Sequence, residues 1–148
     1  MAKKSNSVIS TLHTVLADTF VLYVNTHAAH WNVTGPQFAA LHEMFGTQYE
    51  ELHASIDEIA ERLRALQAYA PSGLAELTSG SSIKDGAGQG DAMKMVKALL
   101  AGHEAALKSI DAGLEAAEAA GDEGTLDLLT QRQQAHQKTA WMLRAHLA

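Results

Sequence analysis

The sequence contains no cysteine, which excludes disulfides and thiolate ligands and leaves histidine, aspartate and glutamate to carry any metal or acid–base chemistry. Nothing in it reports the redox compartment. Proline is confined to Pro36 and Pro71, and aromatic residues make up only 5% of the chain. Strands favour aromatic and β-branched side chains, so a chain this poor in aromatics and rich in alanine and leucine points to helices. Neither an unbroken apolar run long enough to span a bilayer nor a signal-like succession at the start is visible. No membrane partner is therefore expected, and a cytoplasmic location is. Positive charge is also scarce: 11 Lys and Arg stand against 17 Asp and Glu, for a net charge of -6. That balance argues against a nucleic-acid surface spread over the whole body, though a local basic arm stays open.

The 148 residues, 47% of them hydrophobic, suffice for one domain with a sizeable core. We expect a short flexible arm over residues 1–7 and a single all-α domain over 8–148. From Val8, the residues Ile9, Leu12, Val15, Leu16, Thr19, Leu22 and Tyr23 recur at helical spacing, predicting a first helix to about Asn32. VTGP breaks it, with Pro36 at an expected first helical position. A second stripe, Phe38, Leu41, Phe45, Tyr49, Leu52, Ile56, Ile59, Leu63 and Leu66, predicts a helix of about thirty residues, or roughly 45 Å. The stretch PSGLAELTSGSSIKDGAGQG reads as a linker with one helical turn at Leu74–Leu77. A third helix carries Met93, Val96, Leu99, Leu107, Ile110 and Leu114 and stops near Gly121. A fourth starts at about Leu126. Two tightly joined helix pairs with one long link between them describe a ferritin-like four-helix bundle with a crossover.

On the second helix, His42, Gly46, Glu50, His53, Asp57 and Glu61 fall within a sector of about 100° beside the apolar stripe, taking 100° per residue. Imidazole and carboxylate together suit first-row divalent metals, and a step of four residues sets ligands on one side. Spacing alone leaves two readings open, a row of metal ligands or a solvated acidic seam with incidental histidines. His27 and His30 near the end of the first helix add imidazoles close by. Glu50-x-x-His53 also matches the Glu-x-x-His of larger di-iron bundles, but it occurs once, so a single-subunit di-iron oxygenase is poorly supported.

The stretches THAAHWNVTGPQFAALHEMF, YEELHASIDEIAERLRAL, SSIKD and TAWMLRAHL resemble the Dps miniferritins, and the resemblance covers nearly the whole chain. It implies a hollow dodecameric shell of four-helix bundles that oxidises Fe2+ to Fe3+, preferably with hydrogen peroxide, stores the ferric mineral and protects against oxidative stress. It further implies catalytic, metal-binding centres at a two-fold interface, two iron sites in each, where Asp57 and Glu61 of one subunit meet His30 and His42 of its neighbour. Trp31, beside His30, is expected by the same resemblance to pack against the centre and quench stray radicals. Two copies of the second helix packed antiparallel across a two-fold would set His42 opposite Glu61 and position 46 opposite Asp57, since both pairs share one midpoint.

The chain departs from the family pattern at Gly46, where an aspartate is expected directly after LHEMF. Glycine in a helix interior costs about 1 kcal/mol relative to alanine, so helix formation does not account for it. By resemblance His30, Asp57 and Glu61 hold the first iron, and all are present. The second leans on His42, the missing carboxylate and a shared Glu61, and loses an anionic oxygen donor, so it is expected to bind weakly. His53 is the candidate replacement ligand. Its plainer role is a hydrogen bond across the dimer.

Asp122 and Asp127 flank the start of the last helix, where carboxylates are favoured in any case; by resemblance they line an iron-attracting pore. Lys3 and Lys4 offer a small phosphate-binding arm, multiplied by avidity on a shell. The rival to an iron-oxidising protein is a structural cage that condenses DNA in the nucleoid or buffers metal with little oxidation.

Overall fold

The computed structural model describes residues 2–148, with side chains from residue 5 onward. It contains α1 (Ala2–Asn32), α2 (Phe38–Ala65), α3 (Leu74–Thr78), α4 (Ala92–Ala120) and α5 (Glu123–Ala145), and no strand among the described residues. α1 packs along both α2 and α4, and α4 along α5, whereas α2 and α5 touch only sparsely. The long crossover carrying α3 joins the two helix pairs. This is the expected bundle.

α1, α2 and α4 bury most of their predicted stripes, although Phe38, the first residue of the α2 stripe, stays 45% exposed. α1 contributes Leu12, Leu16 and Leu22, α2 contributes Leu41, Phe45, Leu52, Ile59 and Leu63, and α4 contributes Leu99 and Ile110. Buried threonine hydroxyls on α1 stay satisfied by turning back into the helix, Thr19 Oγ1 donating to Val15 O at 2.6 Å and Thr26 Oγ1 to Leu22 O at 2.7 Å. Over Ser5–Asn32, α1 has the length and apolarity to cross a bilayer, but half of the 18-residue apolar window within it is buried inside the bundle. A core helix meets the same criterion.

The boundaries differ from the expected ones for local reasons. α1 starts at Ala2 rather than Val8, because no glycine or proline interrupts the intervening backbone. The side chains of Lys3 and Lys4 lie outside the described residues, and so does the DNA contact expected of them. Pro36 sits in a turn opened by Gly35 at φ 104°, and α2 begins after Gln37 rather than at the proline. α2 ends before Pro71: Ala68 N donates to Leu63 O at 3.0 Å and Gln67 N to Arg64 O at 2.9 Å. That pairing is a Schellman motif with Gln67, at φ 66°, in the left-handed position usually given to glycine. α5 starts at Glu123 rather than Leu126 because Asp122 caps it, accepting from Thr125 N at 3.0 Å. Gly121, at φ 68°, closes α4 as expected.

The crossover is strapped to α1 by two buried polar side chains. The Asp18 carboxylate accepts from Ser81 Oγ (2.9 Å), Ser82 N (2.7 Å), Ser82 Oγ and Ser109 Oγ (2.5 Å). Asn25 donates to Lys84 O and accepts from Gly86 N and Ala87 N. The SSIKD stretch is thus the part of the linker that grips the bundle. Close approach follows at Gly88, where a Cβ would stand 2.5 Å from the Ala28 Cβ.

Candidate metal centre

The turn between α1 and α2 brings His30 and His42 face to face, their rings stacked at 3.8 Å and 16°. Each ring is locked by the other's backbone: His30 Nδ1 to His42 O and His42 Nδ1 to His30 O, both at 2.6 Å. A carbonyl oxygen can only accept, so each Nδ1 carries a proton, and in the neutral ring Nε2 is the atom with the bare lone pair. This is the arrangement that orients and primes a metal-ligating imidazole.

Gly46 lies one turn beyond His42, against the His30 ring. A Cβ at position 46 would stand 3.2 Å from both Cε1 and Nδ1 of His30. The glycine thus spares the ring that His42 O holds in place a shift of a few tenths of an ångström.

The acids are elsewhere. Asp57 and Glu61 are exposed, one turn apart on α2, and at 1.5 Å per residue they stand about 22 and 28 Å along the helix from His42. Among the described residues no group of three or more His, Asp or Glu within one chain is placed to hold a metal ion. One protomer supplies imidazoles at one place and carboxylates at another. Glu50 and His53 are also exposed, not directed into the bundle as a single-subunit di-iron site requires. The bundle interior instead holds the Arg132 guanidinium, 5% exposed and paired with Glu51, which repels cations.

An aromatic cluster that periodicity gave no reason to group surrounds the pair. His27 stacks on Tyr49 at 3.8 Å and 9° and lies 4.0 Å from Trp31, and the Tyr23 hydroxyl meets His27 Nδ1 at 3.2 Å. Burial, then the neighbouring His30 and His53, lower the His27 pKa below its ordinary value, so His27 is neutral at pH 7. Trp31 stays 65% exposed, reaching the histidine pair through His27. The His53 ring lies 5.2 Å from Tyr23. Tyr23 and Tyr49 read in sequence as core positions of two separate stripes, and only the helix crossing unites them.

Asp122 is fully engaged. Besides Thr125 N, it accepts from Thr125 Oγ1 at 2.6 Å and from Arg62 at 2.8 Å, and its pKa lies below the usual carboxylate value: the Thr125 and Arg62 contacts outweigh burial, which is the largest single influence and raises it. These contacts match its plainer role as a helix cap. Asp127 is exposed and, among the described residues, accepts only from Gln131, at 3.0 Å.

Residues 9–148 match the ferritin-like domain family. The chain is 40% identical over 143 residues to DNA protection during starvation protein 2 of Bacillus anthracis, covering 97% of this chain and 98% of that protein. Its fold superposes with a TM-score of 0.95 on Dps from Thermosynechococcus elongatus, at 34% identity over 99% of this chain and 93% of the other. It superposes with a TM-score of 0.93 on the Dps protein of Vibrio cholerae O1, described as a member of a broad superfamily of ferritin-like diiron-carboxylate proteins, at 32% identity over 99% and 92% of the two chains. A bundle of this topology, a paired-histidine turn and full-length similarity to these relatives together show that the chain belongs to the ferritin-like family and, within it, to the Dps proteins.

Proposed function

We propose that the protein is an iron-oxidising, iron-storing miniferritin whose centres are completed by two protomers. The observation that carries this reading is the separation of ligand types on one chain: His30 and His42 present bare Nε2 atoms at one end of α2, while Asp57 and Glu61 lie exposed about 22 to 28 Å along it. An antiparallel contact between two copies of α2 brings each set against its complement, twice per dimer. Assembly into a hollow dodecamer then encloses a space for the ferric mineral.

Fe2+ is the substrate. His30 with Asp57 and Glu61 of the second copy forms the first site, and His42 with the shared Glu61 forms the second. Hydrogen peroxide accepts one electron from each of two Fe2+ ions and, with two protons, leaves as two waters. Because the carbonyls hold each Nδ1–H, Nε2 is the atom each imidazole offers to the metal. Gly46 leaves the second site short of a carboxylate, so it fills less readily than the first, and His53 is the nitrogen donor available beside it. Asp127 supplies charge for attracting Fe2+ to a pore, while the oxygens of Asp122 are already engaged.

Stopped-flow absorbance after mixing the assembled protein with Fe2+ and peroxide tests this reading. Rapid oxidation that Asp57→Asn abolishes, in a cage of unchanged mass, is expected. A monomer in solution, or oxidation indifferent to Asp57→Asn, would overturn it. The rival, a cage that condenses DNA through Lys3 and Lys4 with little oxidation, predicts a salt-sensitive gel shift; the net charge of -6 opposes it.

A further inference from the structure

A polar network that the metal centre does not use lies inside the bundle. On α5, Arg132 and His136 fall between Leu129 of one apolar cluster and Leu143 of the other, and His103 of α4 meets them. Arg132 pairs with Glu51 and, through Nη2, contacts His136 Nε2 at 3.3 Å. His136 Nδ1 contacts His103 Nδ1 at 2.8 Å. His103, His136, Arg132 and Gln48 are 2%, 1%, 5% and 5% exposed.

Donor and acceptor rules fix every proton in this chain. Arginine only donates, so His136 Nε2 accepts and its proton is on Nδ1. That Nδ1–H donates to His103 Nδ1, which must be bare, so His103 carries its proton on Nε2. His103 Nε2 has no partner in the protein, nor do Arg132 Nε and both amide atoms of Gln48. Buried polar groups are almost always paired with protein or ordered water, and each one left bare is costly. Three of these four atoms are donors, and Arg132 Nε belongs to a guanidinium, so the site calls for an acceptor and rejects a metal cation. A groove of about 610 Å³ between α2 and α5, lined by Met44, Gln48, Glu51, Ala135, Thr139 and Met142 among others, reaches both the buried Gln48 and Glu51, the partner of Arg132.

We propose that ordered water occupies the bundle interior of each protomer, accepting from His103 Nε2–H and pairing with the Gln48 amide. The water ends a chain of donations that starts at Arg132, which also donates to Glu51, and runs through His136 and His103, and it holds α2, α4 and α5 together where apolar packing is interrupted.

Neutron diffraction from crystals of the whole protein grown in D2O tests this. Deuterium on His136 Nδ1 and His103 Nε2, with a D2O oxygen within hydrogen-bond distance of the latter and of Gln48, is expected. Deuterium on His103 Nδ1, or no water at these atoms, overturns the proposal. An anomalous peak there after a bromide soak overturns the assignment to water in favour of a halide. Gln48→Leu supplies an independent readout. A dry site gains from losing an unpaired amide and its melting temperature rises, which would refute the proposal; a hydrated site shows no rise.

Discussion

Gly46 can be tested by two substitutions that divide its roles. Gly46→Ala adds only the Cβ, 3.2 Å from Cε1 and Nδ1 of His30; Gly46→Asp adds the same carbon and the carboxylate. The helix gains about 1 kcal/mol from replacing an interior glycine. The His30 ring must yield by a few tenths of an ångström while its Nδ1 holds His42 O at 2.6 Å, and an off-rotamer side chain costs about 0.5 to 1.5 kcal/mol. The two effects nearly cancel, so the melting temperature of Gly46→Ala should stay within a few degrees of the parent. Iron behaviour should separate the variants. Titration of Fe2+ under anaerobic conditions should give tight binding of about one ion per centre in the parent and in Gly46→Ala, with somewhat lower affinity in the latter from the displaced ring. Gly46→Asp should approach two, because a hard cation gains an anionic oxygen, and peroxide-driven oxidation should quicken. If Gly46→Asp matched the parent in stoichiometry and rate, the absent carboxylate would not be what limits the second site. If Gly46→Ala gained as much as the aspartate, the effect would belong to the helix backbone.

The buried histidines make stability fall with acid. Burial, then the Arg132 charge, pushes His103 down from 6.5 to about 3, and burial, then His103 and Arg132, holds His136 well below 6.5. Both groups bind protons in the unfolded chain first, so stability is complete above pH 6.5 and declines as pH falls toward the folded values; at pH 5 His103 alone accounts for about 2 kcal/mol. Thermal melts from pH 7 to pH 4 should show this decline, and it should be shallower in a double variant with both histidines replaced by glutamine; equal slopes would refute the assignment. Asp18→Ala strands Ser82 N and the Ser81, Ser82 and Ser109 hydroxyls and should cost about 3 kcal/mol, with faster proteolysis in the crossover; an unchanged melt would show that the strap is not structural. Gln67→Gly relieves a left-handed conformation at φ 66° and should stabilise by about 1 kcal/mol in denaturant titration, whereas a loss of stability would mean that the glutamine side chain matters more than its backbone.

Helix identity and the core faces were legible in the sequence because a helix repeats every 3.6 residues and apolar side chains mark the buried side. Asp122 as a cap, Gly121 as a terminator and the short turn at Leu74 were equally local signals. Several features depend instead on residues distant in the chain. The reciprocal histidine lock needs the α1–α2 turn to place each ring against the other's carbonyl, and the closeness of Gly46 to His30 exists only after that. Tyr23, His27 and Tyr49 form one cluster only because α1 crosses α2 there. The pairing of His103 with His136 joins residues whose neighbours in sequence give no hint of it. Periodicity states which side of a helix is buried; the contact on that side is decided by how helices cross, and proton positions follow only from the contacts.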